Sequence, residues 1–196
     1  NVEYPFGFGL SYTTFEYSGI AADEKGVTFT VTNTGDMDGA EIAQMYVSKK
    51  DGAIFRPEKE LKGFKKIFLK KGESKTVTIP FDDKTFRYFD VESDRWEVEG
   101  GGYTILVGAS SRDIRLTAEV ARTATKTDCP NDMAKLPSYY SGKVDAVEND
   151  EFRALLGRDI PKSGYDFYKH NRMIITENAT VADLRYSRRW VGRLFS

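Results

Sequence analysis

From about Thr13 to Val120 the chain alternates apolar and polar residues with a period of two, and this pattern constrains it most. Val27, Phe29 and Val31 alternate with Thr28, Thr30 and Thr32; Val77, Ile79 and Phe81 alternate with Thr76, Thr78 and Pro80. Ile114, Leu116, Ala118 and Val120 alternate with Arg115, Thr117 and Glu119. Successive side chains of a strand point to opposite faces, so each run has one buried and one wetted face. The apolar members are mostly β-branched or aromatic, which suits a half-buried pleated surface. Turn-forming strings break the runs at Asn33-Thr34-Gly35-Asp36, Lys70-Lys71-Gly72-Glu73, Gly100-Gly101-Gly102 and Ser110-Ser111-Arg112-Asp113. About seven short strands with turns this close predict an all-β fold, an immunoglobulin-like antiparallel sandwich. The apolar phase slips within Leu61–Leu69, where Leu61 is followed by Phe64, and a bulge near Gly63 or an edge strand accounts for it. Asn33-Thr34-Gly35 reads as a turn needing a positive φ. Tyr103, after three glycines, can bury its ring and send its hydroxyl to backbone.

Past Ala121 the periodicity stops. Residues 122–147 contain Pro130 and Pro137 and read as a linker or wrapping arm. Two helices follow. Asn149 or Asp150 can cap Glu151–Leu156, with Gly157 at the stop. Thr180-Val181-Ala182-Asp183 opens a second, reaching about Phe195. These last segments hold too few apolar residues for a core of their own and should dock on something else.

Composition removes several functional classes. With 29 Lys+Arg against 30 Asp+Glu, no bulk basic field for nucleic acid or an anionic membrane is expected. One cysteine, Cys129, and one histidine, His170, complete neither a disulfide nor a metal site, so no metal and no cofactor are expected. No 18-residue apolar run appears. The compartment stays open, the cytoplasm slightly favoured. Asn1-Val2-Glu3-Tyr4-Pro5 has neither an initiator Met nor a signal core, and we expect a piece of a longer protein.

Several strings resemble one family in order. Tyr4-Pro5-Phe6-Gly7-Phe8-Gly9-Leu10-Ser11-Tyr12-Thr13-Thr14-Phe15 is similar to the signature opening the fibronectin type III-like domain of glycoside hydrolase family 3. Val31-Thr32-Asn33-Thr34-Gly35, Asp38-Gly39-Ala40-Glu41, Gln44-Met45-Tyr46-Val47, Arg56-Pro57 and Lys59 through Phe64 resemble its following strands. Gly72-Glu73-Ser74, Gly102-Tyr103 and Gly108-Ala109-Ser110-Ser111 continue the likeness through residue 120. The tail Pro137–Phe195 resembles an extension that some bacterial β-glucosidase-like members carry. The resemblance implies four segments: a connector over 1–12, a fibronectin type III-like sandwich over 13–121, a wrapping arm over 122–147 and a helical tail over 148–196. It also implies a parent enzyme that removes terminal β-linked sugars with retention, using two carboxylates about 5 Å apart. Those carboxylates belong to a catalytic barrel and an α/β sandwich domain, which are the expected partners. This segment would be non-catalytic, with no nucleic-acid or membrane partner.

The candidate residues follow. Ile54, Phe55 and Arg56 are expensive on an idle surface loop, so Lys49–Arg56 is the candidate substrate-entrance element. Tyr4, Phe6, Phe8, Tyr12, Tyr139, Tyr140 and Trp190 are candidate interdomain anchors, since docking arms use aromatics. Tyr139, Tyr140, Tyr165, Phe167 and Tyr168 could stack on sugar rings, but the docking role is the favoured reading. No residue qualifies as catalytic. Ser93-Asp94-Arg95-Trp96 looks superficially like the string around the family nucleophile, but an Arg intervenes and the setting reads as a hairpin turn. Lys169-His170-Asn171 lacks the Phe and glycines of the family's sugar-binding string. Asp82, Asp83, Asp90, Glu92 and Asp94 read as turn caps rather than acid–base pairs. The alternative function is a stand-alone carbohydrate- or protein-binding module, which would need a flat aromatic row on one sheet face.

Overall fold

The computed structural model describes residues 3–128 and 131–160. The chain divides into two compact units, Asn1–Gly142 and Lys143–Ser196.

The first unit is the sandwich. One sheet holds β1 (Phe15–Ala22), β2 (Gly26–Asn33) and β5 (Ser74–Pro80) in the order β1-β2-β5. The other holds β3 (Gly39–Ser48), β4 (Glu60–Leu69), β8 (Gly101–Gly108) and β9 (Ile114–Arg122) in the order β4-β3-β8-β9. β6 (Arg87–Asp90) and β7 (Arg95–Val98) form a separate hairpin, and all pairings are antiparallel. The period-two runs put Val27, Phe29, Val31, Val77 and Ile79 against Ala43, Met45, Val47, Ile105 and Val107. Phe29 and Val31 are fully enclosed, and a buried side chain of this size contributes roughly 1.5–3 kcal/mol. Tyr103 is also enclosed; its ring meets Phe86 edge-on at 5.0 Å and its hydroxyl donates to Glu99 O at 2.7 Å.

The phase slip in β4 is a bulge. Met45 pairs with Gly63 while Tyr46 pairs with Leu61, leaving Lys62 as the extra residue. After it, Ile67 and Leu69 point inward and Phe64 and Phe68 outward. β4 is also a sheet edge.

The turn at 33–35 differs from expectation, because neither Asn33 nor Gly35 has a positive φ. Gly35 is needed for close approach instead: a Cβ there would lie 2.1 Å from Thr13 Oγ1 and 2.7 Å from the Thr14 nitrogen. Asn33 is wholly buried, and its carboxamide makes four hydrogen bonds that hold the turn. Two of the acids are caps: Asp82 accepts from Lys84 N and Thr85 Oγ1, and Asp90 from Glu92 N and Ser93 N. Asp83 and Glu92 depart from that expectation and pair with cations instead, Asp83 with Arg87 at 2.9 Å and Glu92 with Lys126 at 3.0 Å.

The described residues of 122–147 include two short helical pieces. A 3₁₀ turn spans Met133–Lys135, with the Asp132 side chain accepting from Ala134 N. Helix α1 (Pro137–Ser141) starts on a proline, which loses no helical bond at that position, and ends at left-handed Gly142. In the second unit, helix α2 (Asn149–Leu156) stops at left-handed Gly157. Its cap position is Glu148, which makes no side-chain cap bond, so Asn149 and Asp150 stand inside the helix. There Asp150 favours the positive helix start by its charge. The helix expected from Thr180 lies outside the described residues.

Candidate functional site

Loop 49–59 leaves the end of β3 and returns to β4. Its neck is closed by Ser48 Oγ donating to Glu58 O at 2.6 Å, and Ala53 N donates to Glu99 Oε1 at 2.6 Å. Ile54 is buried at the loop base. Phe55 lies under the arm: its backbone N donates to Asn131 Oδ1 at 2.8 Å, and its ring meets Tyr139 at 5.1 Å and Tyr140 at 5.7 Å, both edge-on. Tyr140 Oη donates to Ala53 O, and Leu136 is enclosed beneath. Residues 131–140 thus staple the loop from above. Between them runs a cleft of about 440 Å³ lined by Phe55, Tyr139, Tyr140 and Met133, with Lys50 and Glu58 exposed beside it.

Arg56 is the charged centre of this loop. Its side chain is 9% exposed and sits 3.9 Å from both Glu60 and Glu99, with its guanidinium over the Tyr88 ring. Arg56 Nε and Nη2 and Glu99 Oε2 are buried without hydrogen-bond partners. Removing one member of such a pair is costly because the other charge stays buried. Burial pushes the Tyr103 hydroxyl up to about 12, and Arg56 nearby moderates the rise.

A second strap holds the β6–β7 hairpin. Thr125 N donates to Val98 O at 3.0 Å, and Val98 N donates to Thr125 Oγ1 at 2.7 Å. Lys126 Nζ reaches Asp90 Oδ2 at 2.6 Å and Glu92 Oε2 at 3.0 Å. Desolvation works to raise the Asp90 carboxyl. Lys126 and the N–H groups of Ser93 and Glu92 outweigh it and hold that carboxyl below the usual range. Ser93-Asp94-Arg95-Trp96 is the turn and first residues of β7, with Asp94 left-handed.

The candidate residues therefore fall into separate groups. Ile54, Phe55 and Arg56 are brought together with Tyr139 and Tyr140, whose packing on the loop explains much of why apolar residues stand there. Tyr4, Phe6, Phe8 and Tyr12 are exposed on the opening segment, where the Tyr4 and Phe8 rings meet at 5.0 Å. Phe6 O accepts from Ser111 N, and Gly7 O accepts from Gln44 Nε2. Gly7 is left-handed, and a Cβ there would strike the Gln44 amide at 2.1 Å. The backbone is pinned while the rings stay open, Phe6 at 67% and Tyr12 at 94% exposure. Trp190, Tyr165, Phe167, Tyr168 and His170 lie outside the described residues. Phe64 and Phe68, exposed on β4, were not singled out in the sequence; their phase, reversed by the bulge, was the available signal. Exposed Phe89 and Trp96 meet at 77°, an edge-to-face corner rather than a flat aromatic row. Among the described residues no group of His, Cys, Asp and Glu is arranged to hold a metal, and no helix is long and apolar enough to cross a membrane.

Residues 41–111 match the family model of the fibronectin type III-like domain, and the two facing sheets fit that class. The chain is 53% identical over 125 residues to an exo-α-(1→6)-L-arabinopyranosidase of Bifidobacterium longum, covering 61% of this chain and 16% of that protein. It is 48% identical over 130 residues to thermostable β-glucosidase B of Acetivibrio thermocellus, covering 62% and 17%. A solved family 3 β-glucosidase of Bifidobacterium adolescentis superposes with a TM-score of 0.61 at 33% identity, across 99% of this chain and 23% of that one. The chain thus carries a fibronectin type III-like domain, and it is similar to a segment of β-glucosidases that include a glycoside hydrolase family 3 member. It spans about a sixth of the curated relatives it matches, where it is one domain of a much longer polypeptide.

Proposed function

We propose that this chain is the non-catalytic accessory domain of a family 3 β-glucosidase-like hydrolase that releases terminal β-linked sugars with retention. The observation that carries the reading is the 48–53% identity to a small share of two glycosidases. Carboxylates such as Asp82 and Asp90 are occupied capping backbone, and this supports placing bond cleavage on other domains. The partners are then the barrel and α/β sandwich domains of the same enzyme. Tyr4, Phe6, Phe8 and Tyr12, over a connector at 1–12, are docking anchors, and Phe64 and Phe68 extend the apolar surface offered to a neighbour. Residues 122–147 act as the wrapping arm, and 148–196 as a tail docking on another domain.

Loop 49–56 is proposed to face the substrate entrance. Replacing Phe55 and Arg56 by Ala in the whole enzyme should change KM among glycosides while an aryl glucoside is still hydrolysed. Unchanged kinetics on several glycosides would dismiss the entrance role. Release of p-nitrophenol from an aryl glucoside by this chain alone would dismiss the accessory reading.

A further inference from the structure

We infer that the cleft between loop 49–57 and the arm 131–140 holds a pyranose ring of a neutral oligosaccharide. This deepens, and rests on, the reading of the loop as a substrate-entrance element. The carrying observation is a concave space of about 440 Å³ with aromatic walls and a hydrogen-bonding rim. A pyranose presents an apolar C–H face and a belt of hydroxyls, so it needs an aromatic wall and nearby donors and acceptors together. Phe55, Tyr139 and Tyr140 supply the wall, and exposed Lys50 and Glu58 supply a donor and an acceptor beside it. The volume lies within the range of ligand pockets and admits about one or two sugar rings.

The walls are pre-organised. Tyr140 is fixed to Ala53 O, Phe55 N to Asn131, and the arm is seated on enclosed Leu136. Binding then orders few side chains, which favours affinity. A ring held here occupies a unit of the substrate away from the bond cleaved, so this cleft sets preference for chain length.

The test is saturation-transfer NMR on this chain with cellobiose and cellotriose at millimolar concentration, and sorbitol as the control polyol. Transfer to the sugars and not to sorbitol is expected. Tyr139→Leu keeps the bulk and removes the ring, and should weaken binding by roughly tenfold, about 1.4 kcal/mol. Tyr139→Phe should restore it, and Trp96→Ala on the hairpin should leave it unchanged. Circular dichroism shows whether each variant is folded; should Tyr139→Leu fail to fold, Met133→Glu, which places bulk and charge at the cleft, takes its place with the same expected loss. Absence of transfer to either sugar, or transfer that the folded cleft variant leaves intact, overturns the inference. The measurement is of binding alone, so that failure is distinct from a failure of the hydrolase reading, which the aryl glucoside assay reads.

Discussion

Replacing Asn33 by Ala should remove more stability than any exposed substitution in the sandwich, and the amount follows from four hydrogen bonds. Oδ1 accepts from Thr13 Oγ1 at 2.6 Å and from Gly35 N at 3.1 Å; Nδ2 donates to Met37 O at 2.8 Å and to Leu69 O at 3.2 Å. The Gly35 and Met37 bonds are partly exposed, so water can replace the carboxamide there. The Thr13 and Leu69 bonds are buried, and each leaves a polar group without a partner, at about 1–3 kcal/mol apiece. The expected loss is about 3 kcal/mol, which lowers the melting temperature by roughly 10 °C for a domain of this size. The assay is thermal unfolding of the chain followed by near-ultraviolet circular dichroism. Thr34→Ala is the control: its hydroxyl bond to Thr14 is exposed, and the change should stay within about 0.5 kcal/mol. Were Asn33→Ala to melt alongside Thr34→Ala, the carboxamide would not be what joins the two sheets at this end.

Three further outcomes are expected. Asp90, held below the ordinary carboxylate value by Lys126 and two N–H groups, contributes stability that is present above about pH 4 and is lost as pH falls through its lower folded value. Urea midpoints of the native chain and Asp90→Asn should therefore converge on acidification, and a gap that persists at the most acidic pH would contradict the pairing. Gly108→Ala should cost about 2 kcal/mol in urea unfolding, because a Cβ there would lie 2.0 Å from Asp113 O and 2.8 Å from Ile114 Cα, both main chain that cannot turn away. Phe64→Lys with Phe68→Lys should leave the urea midpoint of this chain nearly unchanged, since both rings are exposed, yet lower the melting temperature of the whole enzyme. Equal melting of both whole enzymes would show that the β4 face packs on nothing.

The sheets were legible in the sequence because strand burial is a local, period-two property. Val27, Phe29 and Val31 declare their face without reference to the rest of the chain, and the slip at Leu61–Phe64 located a bulge for the same reason. The glycine-led Tyr103 and the caps at Asp82 and Asp90 were legible too, since each acts through backbone a few residues away. What Gly35 does was not, because the atoms that exclude its side chain belong to Thr13 and Thr14, twenty residues off and adjacent only after β1 and β2 pair. Composition marked Ile54, Phe55 and Arg56 as unusual for a loop. Only the tertiary structure set Tyr139 and Tyr140 on Phe55 and lodged Arg56 between Glu60 and Glu99. Local alternation is written one residue at a time, whereas a cleft made by segments eighty residues apart exists only once loop closure has brought them together.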